Sequence, residues 1–137
     1  MRSRLGVRIR QGRICQAPPT FVDPDLLTKA FSAVLLNALD RMPRGGELKF
    51  DLNSDEGLCF LNVEDSGPEL DTRQMEEDLS PIHVFGSHRT HLNLAIAKRI
   101  VDEHGGRLDI GTSHRKGLKV RISLPTDRRA LAREREM

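Results

Sequence analysis

Two stretches of this chain repeat apolar residues at helical spacing, and several others alternate them at strand spacing. Leu27, Phe31, Val34, Leu35, Ala38 and Leu39 recur every three or four positions. They predict a helix that starts at Asp23 or Asp25, runs to about Met42 and stops at the Pro43 to Gly46 turn. Leu92, Ala95, Ile96, Ile100 and Val101 predict a second helix, closed by Gly105 and Gly106 as a left-handed C-terminal cap. Strand alternation covers Leu5, Val7 and Ile9, then Leu48, Phe50 and Leu52, then Cys59, Leu61, Val63 and Asp65, with a turn near Ser54 to Gly57. Two more strands, about Arg107 to Thr112 and Leu118 to Leu124, flank the turn Ser113 to Gly117. Residues 66–90 carry turn residues and little periodicity, with a short helix possible around Thr72 to Leu79, and read as a flap over a site.

Antiparallel hairpins with two long helices between them point to an α+β fold. The expected form is a two-layer sandwich, a mixed β-sheet with helices packed on one face. At 137 residues the chain is one domain long, assigned to 1–125, with a charged tail over 126–137 that reads as a frayed helix or linker.

Composition narrows the function. Charged residues make up 31% but the net charge is only +2, so the surface is mixed and non-specific nucleic-acid binding is not implied. The lack of Trp and Tyr also argues against base stacking on nucleic acid. Cys15 and Cys59 are isolated and lack metal-type spacing, which suits two reduced thiols in a cytoplasmic protein. No apolar run approaches the roughly 20 residues needed to cross a bilayer, and the N-terminus lacks the apolar core of a signal peptide, so no direct membrane contact is expected.

Candidate chemistry sits at two places. The polar segment Ser87 to His91 leads into the second helix, where free backbone N–H groups and the positive end of the helix dipole favour an anion. Asp65 ends an otherwise apolar row, where a carboxylate is costly to bury without a hydrogen-bond partner. It serves either a bound ligand or the turn that follows it. His83, His88 and His91 suggest a zinc site by spacing, but no cysteine or paired carboxylate completes the set, and surface histidines are the default.

The segment from Arg89 to Ile96, followed by a helix ending in Glu103-His104-Gly105-Gly106, resembles the last nucleotide-binding box of the histidine-kinase type ATPase family, G-T-G-L-G-L-A-I. Phe31 to Phe50 resembles the family's asparagine-box helix, and Val63 to Leu70 its D-x-G-x-G box. From Asp65 to Leu92 the family pattern fits without a gap, and the resemblance spans roughly residues 5–124. It implies the Bergerat ATP-binding fold, with ATP and Mg as ligands. Asp65 would then accept a hydrogen bond from the adenine amino group, and Gly67 would let the backbone pass close to the base. Asn37 would give its side-chain oxygen to the magnesium ion, and Arg89, Thr90 and Leu92 would lie at the phosphates. For Gly67 a simple turn glycine is the alternative, and for Asn37 a helix-edge asparagine facing water.

This chain departs from the pattern at the phosphate end. Glu69 replaces the second glycine of the D-x-G-x-G box, and Arg89, His91 and Asn93 replace those of the last box. Such glycines allow positive φ and let phosphates reach the backbone. Losing two charge-assisted hydrogen bonds of roughly 1.5–3 kcal/mol each weakens binding by about two to four decades. Ala33, one turn before Asn37, cannot polarise a water or phosphoryl acceptor. Asn93 and His91 tolerate left-handed backbone, and Arg89 brings a positive charge, so some compensation is open. Only about twenty residues precede the first helix, without the helical hairpin that bears the family's phosphoacceptor histidine. The expectation is therefore a degenerate ATP-binding domain without catalytic residues, either excised or stand-alone. It would act as a regulatory or interaction module on a protein partner in a two-component pathway, the kinase helical hairpin or a response regulator. An active sensor-kinase ATPase domain is the alternative.

Overall fold

A computed structural model of the chain describes residues 6–14, 22–55, 57–69, 73, 92–113 and 117–126. The elements run β1 (Val7–Ile14), α1 (Pro24–Asp40), β2 (Gly46–Asp55), β3 (Leu58–Asp65), α2 (Leu92–Glu103), β4 (Arg107–Thr112) and β5 (Leu118–Pro125). The strands form one mixed sheet in the order β1-β2-β3-β5-β4, with β1 and β2 parallel and every other pair antiparallel. Of the short helix expected around Thr72 to Leu79, only Arg73 is among the described residues.

The period-two pattern sorts the sheet into two faces. Register places Leu48 opposite Asp65, Phe50 opposite Val63 and Leu52 opposite Leu61. On the other side, Val63 faces Val120 and Leu61 faces Ile122, which in turn faces Leu108. These rows form the inner face. The outer face is polar, with Arg10 paired to Glu47 at 2.9 Å, Lys119 near Glu64 at 3.7 Å, and Arg121 donating to Asn62 while lying over the Phe60 ring. The Arg10 and Lys119 pairs are only partly covered and add little stability, whereas Asn62 is buried with its Arg121 bond.

Both helices are capped as the sequence predicts. The Asp23 carboxylate accepts from the N–H groups of Asp25 and Leu26, and Pro24 opens α1 at a position whose N–H would have no helical partner. At the other end of α2, the Gly106 N–H donates to the Val101 carbonyl and the Gly105 N–H to that of Asp102, a Schellman closure that places Gly105 at φ 73°.

The apolar stripe of α1 is turned from the expected one. Ala30, Ala33, Val34, Asn37 and Ala38 are buried, whereas Leu27, Phe31 and Leu39 are half-buried and Leu35 is exposed. The physical cause is the neighbour: α1 packs side by side with α2, and a strip of alanines permits that close approach where leucines would hold the helices apart. Phe31, Leu35 and Leu39 are left on the flank, lining an apolar pocket of about 420 Å³ with Ile9, Phe50 and Leu61.

His104 joins the two helices. Its Nε2 accepts from the Asp23 N–H at 3.0 Å, so Nδ1 carries the proton and donates to the Ile100 carbonyl at 2.8 Å. The C-terminus of α2 is thereby tied to the N-cap of α1. Replacing His104 with Ala is expected to cost about 1–2 kcal/mol in a urea unfolding curve, as two hydrogen bonds are lost; an unchanged midpoint would refute the link.

Candidate functional site

At the end of the inner row of β3, the pleat turns the Asp65 side chain toward the helices. The residue is 3% exposed, and its carboxylate is surrounded by donors. Oδ1 accepts from the Gly67 N–H at 2.9 Å and from the Leu118 N–H at 3.1 Å. Arg41, the C-cap residue of α1, donates through Nε to Oδ2 at 2.8 Å and through Nη2 to Oδ1 at 3.1 Å. The same Nη2 donates to the Pro68 carbonyl at 2.6 Å. This is the side-on guanidinium fork that matches a carboxylate best.

The local sequence explains how the parts meet. The α1 helix ends with the Arg41 N–H on the Asn37 carbonyl, and Pro43 two residues on cannot continue it. The end of the helix therefore lies beside the turn after β3. Ser66 fixes that turn by accepting the Glu47 N–H at 2.8 Å and returning its own N–H to the Glu47 carbonyl. Opposite, the Ser113 hydroxyl donates to the Asp65 carbonyl at 3.1 Å and accepts from the Gly117 N–H at 3.0 Å. A Cβ at Gly117 would run into the backbone oxygen and carboxylate of Asp65, and one at Gly67 would press on the Arg41 carbonyl at 3.0 Å. Both glycines are required by close approach.

Of the residues singled out from sequence, Asp65 and Gly67 stand together in this cluster. Asp65 caps the turn that follows it and is at the same time ion-paired. Asn37 lies on the buried strip of α1, one turn before Arg41, with Ala33 a further turn back. It is 7% exposed and its amide has no hydrogen-bond partner among the described residues. No fully buried side-chain N or O atom there lacks a partner, so the Asn37 amide keeps access to its surroundings. It fits the role of a single oxygen ligand to a hard cation. The described residues contain no group of three or more His, Cys, Asp or Glu able to hold a metal, so magnesium would need phosphate and water oxygens as well.

Leu92 opens α2 and is 49% exposed. Glu69 is exposed on the turn beyond Pro68. Arg89 and Thr90 lie outside the described residues, as do His83, His88, His91 and Cys15. Cys59 is half-buried on the far part of β3, and burial pushes its thiol up from the ordinary range.

Arg41 is the residue that sequence reasoning missed. It stands 24 positions from Asp65, and an arginine at the end of a helix reads as a solvated side chain balancing the dipole. The one available signal was Asp65 itself, since a carboxylate that closes an apolar row needs a donor.

Comparison with known proteins identifies the family and the fold. Residues 22–128 match the family described as histidine kinase-, DNA gyrase B- and HSP90-like ATPase. The chain is 30% identical over 112 residues to the sensor histidine kinase WalK of Bacillus subtilis, a match that takes in 76% of this chain and 18% of WalK. Among solved structures it is similar to the histidine kinase domain of the Escherichia coli osmosensor EnvZ, with 30% identity and a TM-score of 0.65 over 88% of this chain and 76% of that one. The mycobacterial sensor histidine kinase MprB gives 26% identity and a TM-score of 0.71 over 88% and 82%. The chain spans about a fifth of the length of the curated relatives it matches.

Gly117→Ala is expected to destabilise the fold by about 1–3 kcal/mol, because its Cβ meets backbone rather than a movable side chain. Gly111→Ala, with open space around it, should stay within about 0.5 kcal/mol of the wild type in the same thermal or urea assay. Equal effects at the two sites would refute the close packing of Gly117 on Asp65.

Proposed function

The chain belongs to the histidine kinase-, DNA gyrase B- and HSP90-like ATPase family, and we propose that within it this is a histidine-kinase-type ATP-binding domain with weak or no ATP binding. In this reading it works as a regulatory or protein-interaction module of two-component signalling, and its partner is a kinase helical hairpin or a response regulator. The observation that carries the reading is the state of Asp65. A carboxylate meant to receive an adenine amino group instead takes both arms of Arg41 and two backbone N–H groups, and its side chain is 2% exposed.

Two further features support it. Glu69 adds a negative charge where the family pattern has a glycine, and the last box has lost all three of its glycines to Arg89, His91 and Asn93. Phosphates lose close backbone approach at several positions together. Ala33 leaves the buried strip of α1 without a polar group next to Asn37.

An active ATP-binding catalytic domain of a sensor histidine kinase is the second reading, and Asn37 is the observation in its favour. A bound magnesium ion would neutralise phosphate charge and orient the transferring group. Asn37 would hold it through its amide oxygen, with Arg89 and Thr90 taking over contacts made elsewhere by glycine N–H groups.

Calorimetric titration of the 137-residue chain with ATP and magnesium separates the two. The degenerate reading predicts a dissociation constant weaker than about 100 µM. Micromolar binding that is abolished by Asp65→Asn, in a variant shown folded by circular dichroism, would overturn it and favour the catalytic reading.

A further inference from the structure

We infer that Arg41 gates the base end of the nucleotide site, so that an adenine ring is admitted only in the conformer in which the guanidinium has left Asp65. The inference rests on the reading of Asp65 as the base-recognition carboxylate and adds the residue that regulates it.

The two carboxylate oxygens have different surroundings. Oδ1 is held by the N–H groups of Gly67 and Leu118, both parts of the backbone, as well as by Arg41 Nη2. Among the described residues Oδ2 receives one donor, Arg41 Nε at 2.8 Å. Around the carboxylate the glycine backbones of 67 and 117 leave no room for a Cβ without displacing neighbouring atoms. Among the described residues Arg41 is the one covering group that is a side chain on rotatable bonds, and it keeps 11% exposure at the end of α1. If it swings out, Oδ1 stays anchored by backbone and the carboxylate keeps its aim. Oδ2 is then a bare acceptor at the place the guanidinium occupied.

An ionised carboxylate accepts and does not donate. A free Oδ2 therefore selects a ligand with an amino or N–H edge, and the 6-amino group of adenine meets that need. The guanidinium and the amino-purine edge present similar planar N–H donors to the same atom, so the arginine acts as an internal competitor of the base. Apparent affinity falls in proportion to the fraction of molecules in the open conformer; a clamp closed about nine times in ten lowers it about tenfold. Anything that draws Arg41 away, such as an acidic side chain on a docking protein, raises adenine affinity.

The experiment compares adenosine binding to the wild-type chain with Arg41→Ala, Arg41→Met and Arg41→Lys, each shown folded by circular dichroism. Adenosine lacks phosphates, so the base pocket is read apart from the altered glycine boxes. The expected result is at least about tenfold tighter binding in Arg41→Ala and Arg41→Met, with Arg41→Lys in between, since an ammonium reaches Oδ2 without the fork. The gain should vanish when Asp65→Asn is added. Millimolar guanidinium ion should compete with adenosine in Arg41→Ala, which a purely structural role for Arg41 would not produce. If the folded variants, Arg41→Lys included, bind adenosine no tighter than the wild type, the gate is overturned. Tight ATP binding by the wild type would instead overturn the weak-binding reading, while the ratio between variant and wild type still decides the gate.

Discussion

The buried carboxylate of Asp65 is the constraint on which the rest of this structure depends. It stands where β3 ends, and through its oxygens it ties together the C-terminus of α1, the turn at Gly67 and the start of β5. Its backbone carbonyl accepts from the Ser113 hydroxyl, which in turn accepts from the Gly117 N–H. A charge so placed is costly in an apolar row unless every lone pair is answered. Removing one partner of such a buried pair typically costs about 3–5 kcal/mol, a large share of a domain's total stability. Arg41 therefore belongs to the folded frame as well as to the site.

That double role lets the fold stand on contacts the protein itself supplies. If a base supplies a donor to the carboxylate, the protein need not supply one. Here the protein supplies it, and the fold is complete without a base. The Schellman closure of α2, the alanine strip between the helices and the His104 link to Asp23 hold the same frame from the other end. None of them asks anything of the phosphate side.

Local chemistry was legible in the sequence, and distant pairing was not. Asp23 and Pro24 announce a helix start, Gly105 and Gly106 a helix end, and the alternation through Leu48, Phe50, Leu52 and through Leu61, Val63, Asp65 assigns the inner face of the sheet correctly. The buried strip of α1 was hidden because leucines dominate any count of apolar spacing, whereas the α2 contact favours Ala30, Ala33 and Ala38 for their small size. Asp65 drew notice because it ends an apolar row, and Gly67 and Asn37 through the family resemblance. The Arg41 clamp could not, because the pairing depends on how the end of α1 comes to rest beside the end of β3, which no periodicity encodes.

Nitrogen-15 NMR of the Arg41 Nε–H in the ligand-free wild-type chain tests the central claim most directly. A guanidinium locked on Asp65 and Pro68 gives a resolved Nε–H signal whose exchange with water is much slower than that of a solvated arginine. It should keep its position when ATP and magnesium are added at concentrations that saturate a micromolar site. An Arg41 Nε–H that exchanges as fast as a free side chain would contradict the account and leave Asp65 open to the base.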